Sequence, residues 1–248
     1  MPTGAHLVVL DPPLAAHTAA FVRDWTQAAL PESLSGPSLL EPTDVIASRD
    51  PLIVATAEQV TAGLQSPTER ALALFRLVRD RIRYDIGPDL PNREAWHAAA
   101  TLQRGRGFCQ QKAVLLAALL RAAGIPSALG FQHVRDWKLQ GTRFEAILPE
   151  GVIIYHGLTF AWLHGGWRAM DATLDAGLCA RRNYQLVSAD PTGDAYLPVR
   201  DLAGNRHFDL FAQHGPFADL PQSVSDLFVS VQETWAEART LARQGATM

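Results

Sequence analysis

Arg104-Gly105-Arg106-Gly107-Phe108-Cys109-Gln110-Gln111-Lys112 runs directly into the apolar segment Ala113–Leu120, and this junction decides how the chain is read. Two glycines before a helical pattern let the backbone turn sharply. That turn predicts Cys109 in the first turn of a helix, where unpaired N–H groups and the helix dipole favour a thiolate. From Ala113 the helix is apolar nearly all round and is expected to be buried, and Gly124 and Pro126 end it in the order of a glycine C-cap and a following proline. A thiol at the positive end of a buried helix is a candidate nucleophile. A lone cysteine is more often a small buried hydrophobe, so Cys109 needs partners from elsewhere in the chain.

With 248 residues, 48% hydrophobic and 19% charged, the chain can build a core of ordinary size, as one large domain or two small ones. A net charge of -3 gives no electrostatic footprint for nucleic acid or an anionic membrane. Neither partner is expected. Cys109 and Cys179 are the two cysteines, too few for a disulfide framework and without the Cys/His spacing of structural zinc. The first residues lack a basic start with a sustained apolar run, and no stretch of about 18 apolar residues occurs. The expectation is a cytoplasmic, soluble protein.

Working outward toward the N-terminus, helices are predicted over Ala15–Leu30 and from Pro51 to Ala62. A third has the clearest grammar: Ser66 as N-cap, Pro67 at the first helical position and Glu69 placed for a capping box. Its Ala71, Leu74, Phe75, Val78 and Ile82 share one face, with Arg76, Arg79, Asp80 and Arg83 facing solvent. Beyond Pro126 the periodicity changes. Ser127–Val134, Arg143–Leu148, Val152–Leu163 and Trp167–Thr173 read as strands. Helices first and sheet afterwards predict α+β.

A thiol nucleophile needs a base and, usually, a group that orients the base. If the hairpin between the last two predicted strands turns on two residues, His164-Gly165 or Gly165-Gly166, Asp171 lies opposite Leu158 or Phe160. Either register puts Asp171 on the face of the sheet that carries His156, roughly 7–8 Å away between α-carbons for the nearest diagonal. A three-residue turn, or a bulge between the two, would separate them. His164 is the competing base, but it falls in the turn. Gln103, six residues before Cys109, is a candidate oxyanion donor. Trp137 and Trp162 either wall a substrate cleft or belong to the core. Cys179 is expected to be buried and inert, and no acidic loop of the calcium-binding kind is present, so no metal or other cofactor is expected.

Residues 105–131, GRGFCQQKAVLLAALLRAAGIPSALGF, resemble the nucleophile segment of the transglutaminase-like superfamily, in which glycine, cysteine, an alanine/leucine-rich helix and R-A-x-G-I-P recur. The Arg79-to-Asp85 region is similar to the helix that precedes that cysteine. His156, Gly166-Trp167 and Asp171-Ala172-Thr173 resemble the second half of the family's site, although Leu158 and Phe160 stand where tryptophan and glutamate are usual. Gln103 has the spacing of the oxyanion glutamine in papain-like proteases, to which the superfamily is structurally similar. Leu40–Asp44 and His214–Pro221 resemble segments of compact bacterial members.

The resemblance implies one α+β domain over residues 1–248, with its core at about 66–175, built as a buried nucleophile helix packed on an antiparallel sheet. It implies a Cys109-His156-Asp171 triad that forms a thioacyl-enzyme from a peptide or amide substrate. Water would then give hydrolysis and an amine would give acyl transfer. Two other readings stay open: acyl transfer from a carrier- or coenzyme-bound thioester, and a non-catalytic binding domain that keeps the fold.

Overall fold

A computed structural model describes residues 39–231 apart from 86 and 191, together with the isolated positions 30, 34, 236 and 240. The helix expected over Ala15–Leu30 lies outside the described residues but for position 30.

The helical half is written in local signals. Helix α1 (Pro51–Thr61) starts where the Asp50 carboxylate accepts from the Leu52 N–H. Helix α2 (Pro67–Arg81) begins with the full capping box: Ser66 Oγ accepts from Glu69 N at 3.1 Å, and the Glu69 carboxylate accepts from Ser66 N at 3.1 Å. It buries Ala71, Leu72, Leu74, Phe75 and Val78. Helix α3 (Ala98–Arg104) ends on Gly105 in the left-handed region, φ +65°. The chain can therefore reverse at once into a two-residue parallel ladder, β1 (Arg83–Tyr84) against β2 (Arg106–Gly107). This ladder sets the end of α2 beside the loop that carries Cys109.

Helix α4 (Cys109–Ala122) is the axis of the molecule: every residue from Cys109 to Arg121 is buried. Helices α1, α2 and α3 pack around it on one side and a four-stranded antiparallel sheet on the other. The strands are β3 (Ser127–Asp136), β4 (Val152–Leu163), β5 (Gly166–Met170) and β6 (Phe208–Phe217), in the order β5-β4-β3-β6. Helix α5 (Ala176–Arg182) follows the β5 edge, and α6 (Gln222–Ser230) follows β6.

Arg121, at the far end of α4, is buried and makes no ion pair among the described residues. Its guanidinium donates to Ser127 O at 3.2 and 2.9 Å, to Glu41 O at 2.6 Å and to Ala218 O at 2.6 Å. Burial lowers its pKa to about 10. The arginine of the R-A-x-G-I-P stretch thus joins three chain segments far apart in sequence.

Two expectations change, and one further strand joins the sheet. Arg143–Ala146 is a 3₁₀ turn and not a strand: Thr142 caps it by accepting from Phe144 N, and among the described residues no strand pairs with its backbone. Strand β6 was hidden among turn signals and prolines, and it covers the open edge of β3. Arg79 is largely buried, donating to Val187 O at 2.6 Å while paired with Asp80.

Candidate functional site

Cys109 is the first residue of α4, with Phe108 as N-cap in extended conformation. Its loop is held from both sides. Phe108 N donates to Gln111 Oε1 at 3.2 Å, and Gln111 Nε2 donates to Ala95 O at 2.6 Å. The Phe108 ring lies 6.1 Å from Trp96 and 5.9 Å from Phe228 of α6. A Cβ at Gly107 would stand 3.0 Å from Gln111 Cβ and 3.1 Å from Thr101 Cγ2, so any larger residue there has to push Gln111 or Thr101 aside.

The other half of the site follows from strand register. β4 and β5 pair with Leu163 opposite Gly166, so the hairpin turns on His164-Gly165, both at positive φ (53° and 76°) as a two-residue primed turn requires. Continuing that register places Asp171, one residue past β5, level with Leu158 and diagonal to His156. A β-bulge does occur, but on the other side of the histidine. Gln132 pairs with His156 and Val134 with Ile153, so Ile154 and Tyr155 together face His133. Tyr155 takes up φ +47°, a conformation that costs a non-glycine residue about 1–2 kcal/mol.

His156 Nε2 and Asp171 Oδ2 are 2.6 Å apart, with side chains 3% and 0% exposed. Thr173 N donates to the other carboxylate oxygen at 3.0 Å, so Asp171 is oriented by both of its acceptors. The Cys109 thiol lies close enough to the imidazole to be among the groups that raise its pKa. With Nε2 engaged by Asp171, Nδ1 is the nitrogen left for the thiol. Burial alone would lower the His156 pKa; the Asp171 charge and hydrogen bond, together with Cys109, outweigh it and hold the imidazole up at about 10.

This raised value has a consequence for stability. A histidine whose folded pKa lies above its unfolded value stabilises fully below about pH 6.5 and loses that contribution as pH rises through the folded value. Lys112, buried one turn after Cys109 with Nζ donating to Ile82 O (2.6 Å) and Arg79 O (3.3 Å), acts oppositely: burial lowers it to about 7. Its contribution rises over the same alkaline range. The stability difference between the wild type and His156→Gln cancels Lys112, and it is expected to shrink steadily from pH 6.5 toward pH 10 in denaturant titrations.

The remaining expected residues stand apart. Gln103 is exposed on α3 and does not join the buried cluster, because α3 turns its amide outward before the chain reverses at Gly105. Trp162 packs edge-on against Trp167 (5.2 Å) near the hairpin tip, about 20 Å along β4 from His156. Trp137 lies between the Arg135 and Arg206 guanidinia (4.9 and 4.3 Å) with Nε1 on Asp209. His164 is exposed at the turn, against Thr68. Cys179 is buried, and burial followed by the charge of Asp175 pushes its thiol up to about 11.

Two neighbours of the cluster were not anticipated. Tyr84 pairs with Gly107 across the small ladder, and its N–H donates to Asp175 at 2.8 Å. Its hydroxyl is held well above its ordinary pKa by burial and by the charges of Cys109, Asp136, Asp85 and Asp171, so it stays a neutral O–H donor. Gln110, 1% exposed, is the second. The polar run Gln110-Gln111-Lys112, directly after the nucleophile at the start of a helix expected to be buried, was the available sequence signal. No group of His, Cys, Asp and Glu able to hold a metal ion occurs among the described residues.

Residues 54–172 match the transglutaminase-like superfamily, and the match encloses Cys109, His156 and Asp171. The segment is a transglutaminase-like core. Among solved structures, the chain is similar to a proposed cysteine protease from Cytophaga hutchinsonii, with 21% identity and a TM-score of 0.43, covering 75% of this chain and 59% of that one. It is also similar to a proposed protease from Parabacteroides distasonis, with 17% identity and a TM-score of 0.33, covering 49% of this chain and 23% of that one. The chain therefore spans less than two thirds of either protein. No curated protein matches it. The fold is α+β of the transglutaminase-like type, and no described helix is long and apolar enough to cross a membrane.

Proposed function

We propose that this protein carries out cysteine-dependent acyl chemistry on an amide, as a peptidase or amidase or by transglutaminase-type transfer. The observation that supports it is a single buried imidazole hydrogen-bonded to a carboxylate and lying beside a thiol at a helix start. His156 already holds the thiol proton as imidazolium, and the Cys109 thiolate attacks the substrate carbonyl, forming a C–S bond and an oxyanion. The Cys109 backbone N–H, which has no carbonyl of α4 to bond, donates to that oxyanion, with the Tyr84 hydroxyl as the nearby neutral donor. His156 returns the proton to the leaving amine as the C–N bond breaks, while Asp171 stabilises the imidazolium. The thioester is then resolved by water, giving the acid, or by an amine, giving a new amide.

The substrate is a peptide or other amide. A carrier-bound thioester enters by the same attack, with a thiol as leaving group. A cytoplasmic setting belongs to the proposal, supported by two cysteines that are both free.

Intact-mass analysis after exposure to a panel of peptides, simple amides and acyl thioesters tests it. An adduct on Cys109, absent in Cys109→Ala, is expected, and its mass reports the acyl group. Loading by thioesters alone would assign the protein to acyl transfer. No adduct, together with iodoacetamide alkylation that follows an ordinary thiol near pH 8.5 and ignores His156→Ala, would leave a binding domain with this fold.

A further inference from the structure

The bulge beside His156 takes Tyr155 out of the ladder between β3 and β4, which would leave its backbone N–H and C=O unpaired inside the protein. Side chains take both. Tyr155 N donates to His133 Nδ1 at 3.2 Å, and Gln110 Nε2 donates to Tyr155 O at 2.8 Å. The Gln110 carbonyl oxygen in turn accepts from Trp96 Nε1 at 2.9 Å. On the other side, His133 Nε2 lies 3.1 Å from His214 Nε2, with Tyr155 packed against both rings (5.0 and 5.9 Å).

The two ends of this arrangement are the catalytic neighbours themselves. Gln110 directly follows Cys109, and Tyr155 directly precedes His156. The backbones meet at van der Waals limits: a Cβ at Gly157 would stand 2.7 Å from Gln110 Cα. The 1%-exposed Gln110 amide is therefore a strut of fixed length between the start of α4 and the strand that carries the imidazole. It is tied to the rest of the molecule through Trp96.

We propose that Gln110 and His133 are positioning residues that lock the left-handed Tyr155 bulge and so set the separation of the Cys109 thiol and the His156 imidazole. This rests on the thiol–imidazole chemistry proposed above. Without the strut, Tyr155 relaxes toward extended backbone, the ladder slips toward regular pairing, and the ring after it turns away from the sulfur. The proton then no longer passes between them. At pH 6 a free thiol with a pKa of about 8.5 is less than about 1% thiolate, so the loss is readable as a slower alkylation.

The test uses the full chain and the variants Gln110→Met, which keeps the volume but loses the donor, and His133→Leu, which loses the acceptor on the other side. Two readings are taken on each: amide hydrogen exchange resolved at residues 153–158, and the pH dependence of iodoacetamide alkylation of Cys109, followed by peptide mass. Faster exchange confined to that segment is expected, together with alkylation at pH 6 slowed about tenfold or more, toward the His156→Ala rate. If either variant fails to fold, the other carries the test, since each removes one end of the same lock.

Unchanged exchange at 153–158 overturns the lock, whatever the chemistry. Faster exchange with an unchanged alkylation profile overturns the positioning role. If the wild-type profile itself is that of an ordinary thiol independent of His156, the proposed chemistry fails, and the positioning role falls with it. The exchange data still report whether the bulge is held.

Discussion

Asp171→Ala is expected to slow acylation of Cys109 by about 10³–10⁴-fold, with adduct formation followed by intact mass. The carboxylate is fully buried and has two acceptors engaged, one by His156 Nε2 at 2.6 Å and one by Thr173 N at 3.0 Å. Alanine removes the anion that outweighs the cost of burying a charged imidazole, so His156 becomes neutral and its ring loses its fixed orientation. The Thr173 N–H is left without its acceptor. A buried pair broken on one side costs about 3–5 kcal/mol, so unfolding midpoints should fall as well. Asp171→Asn separates the two effects: it keeps an acceptor for Nε2–H but no charge, and should lie between wild type and alanine in rate while recovering most of the stability. Equal acylation rates in wild type and Asp171→Ala would remove Asp171 from the chemistry.

Arg121→Met should have the largest effect on stability without touching the site. The guanidinium serves the Ser127, Glu41 and Ala218 carbonyls, adding to the Ser127 N–Leu39 O and Thr43 Oγ1–Asp219 Oδ1 hydrogen bonds that also hold these three segments together. Each carbonyl left unpaired in the interior costs about 1–3 kcal/mol, and relief of the buried charge offsets part of the sum. A net loss of about 3 kcal/mol in denaturant titration is expected. Lysine should not rescue it, because a single ammonium on a shorter stem cannot reach three diverging carbonyls. Alkylation of Cys109 in the fraction that remains folded should be unchanged, since Arg121 lies twelve residues, more than three helical turns, from the thiol.

Where the signal was local, the sequence was sufficient. The capping box at Ser66 and the glycine after α4 are contacts within a few residues, and each is present where its pattern stands. The uniform apolar character of Ala113–Leu120 requires burial on all sides, and α4 has it. Parity also carried far: with a two-residue turn at His164-Gly165, the period of two places His156 and Asp171 on one face without knowledge of the rest of the fold.

What sequence could not supply was set by side chains answering distant backbone. Gln103 has a suggestive spacing, but the direction of an amide on α3 depends on how that helix seats against its neighbours, and it points to solvent. Trp137 and Trp162 are large and aromatic wherever they stand; only packing shows them stacked under arginines or against Trp167. Gln110, His133 and Trp96 gain their meaning from a bulge at Tyr155, which no local pattern announces because it arises where β4 meets β3. By itself, then, the sequence determined the helix ends, the buried nucleophile helix and the shared face of imidazole and carboxylate, all properties of short-range periodicity. The tertiary structure alone decided which polar groups are satisfied and how close the sulfur and the ring are held, because those are long-range distances between segments that the chain does not encode locally.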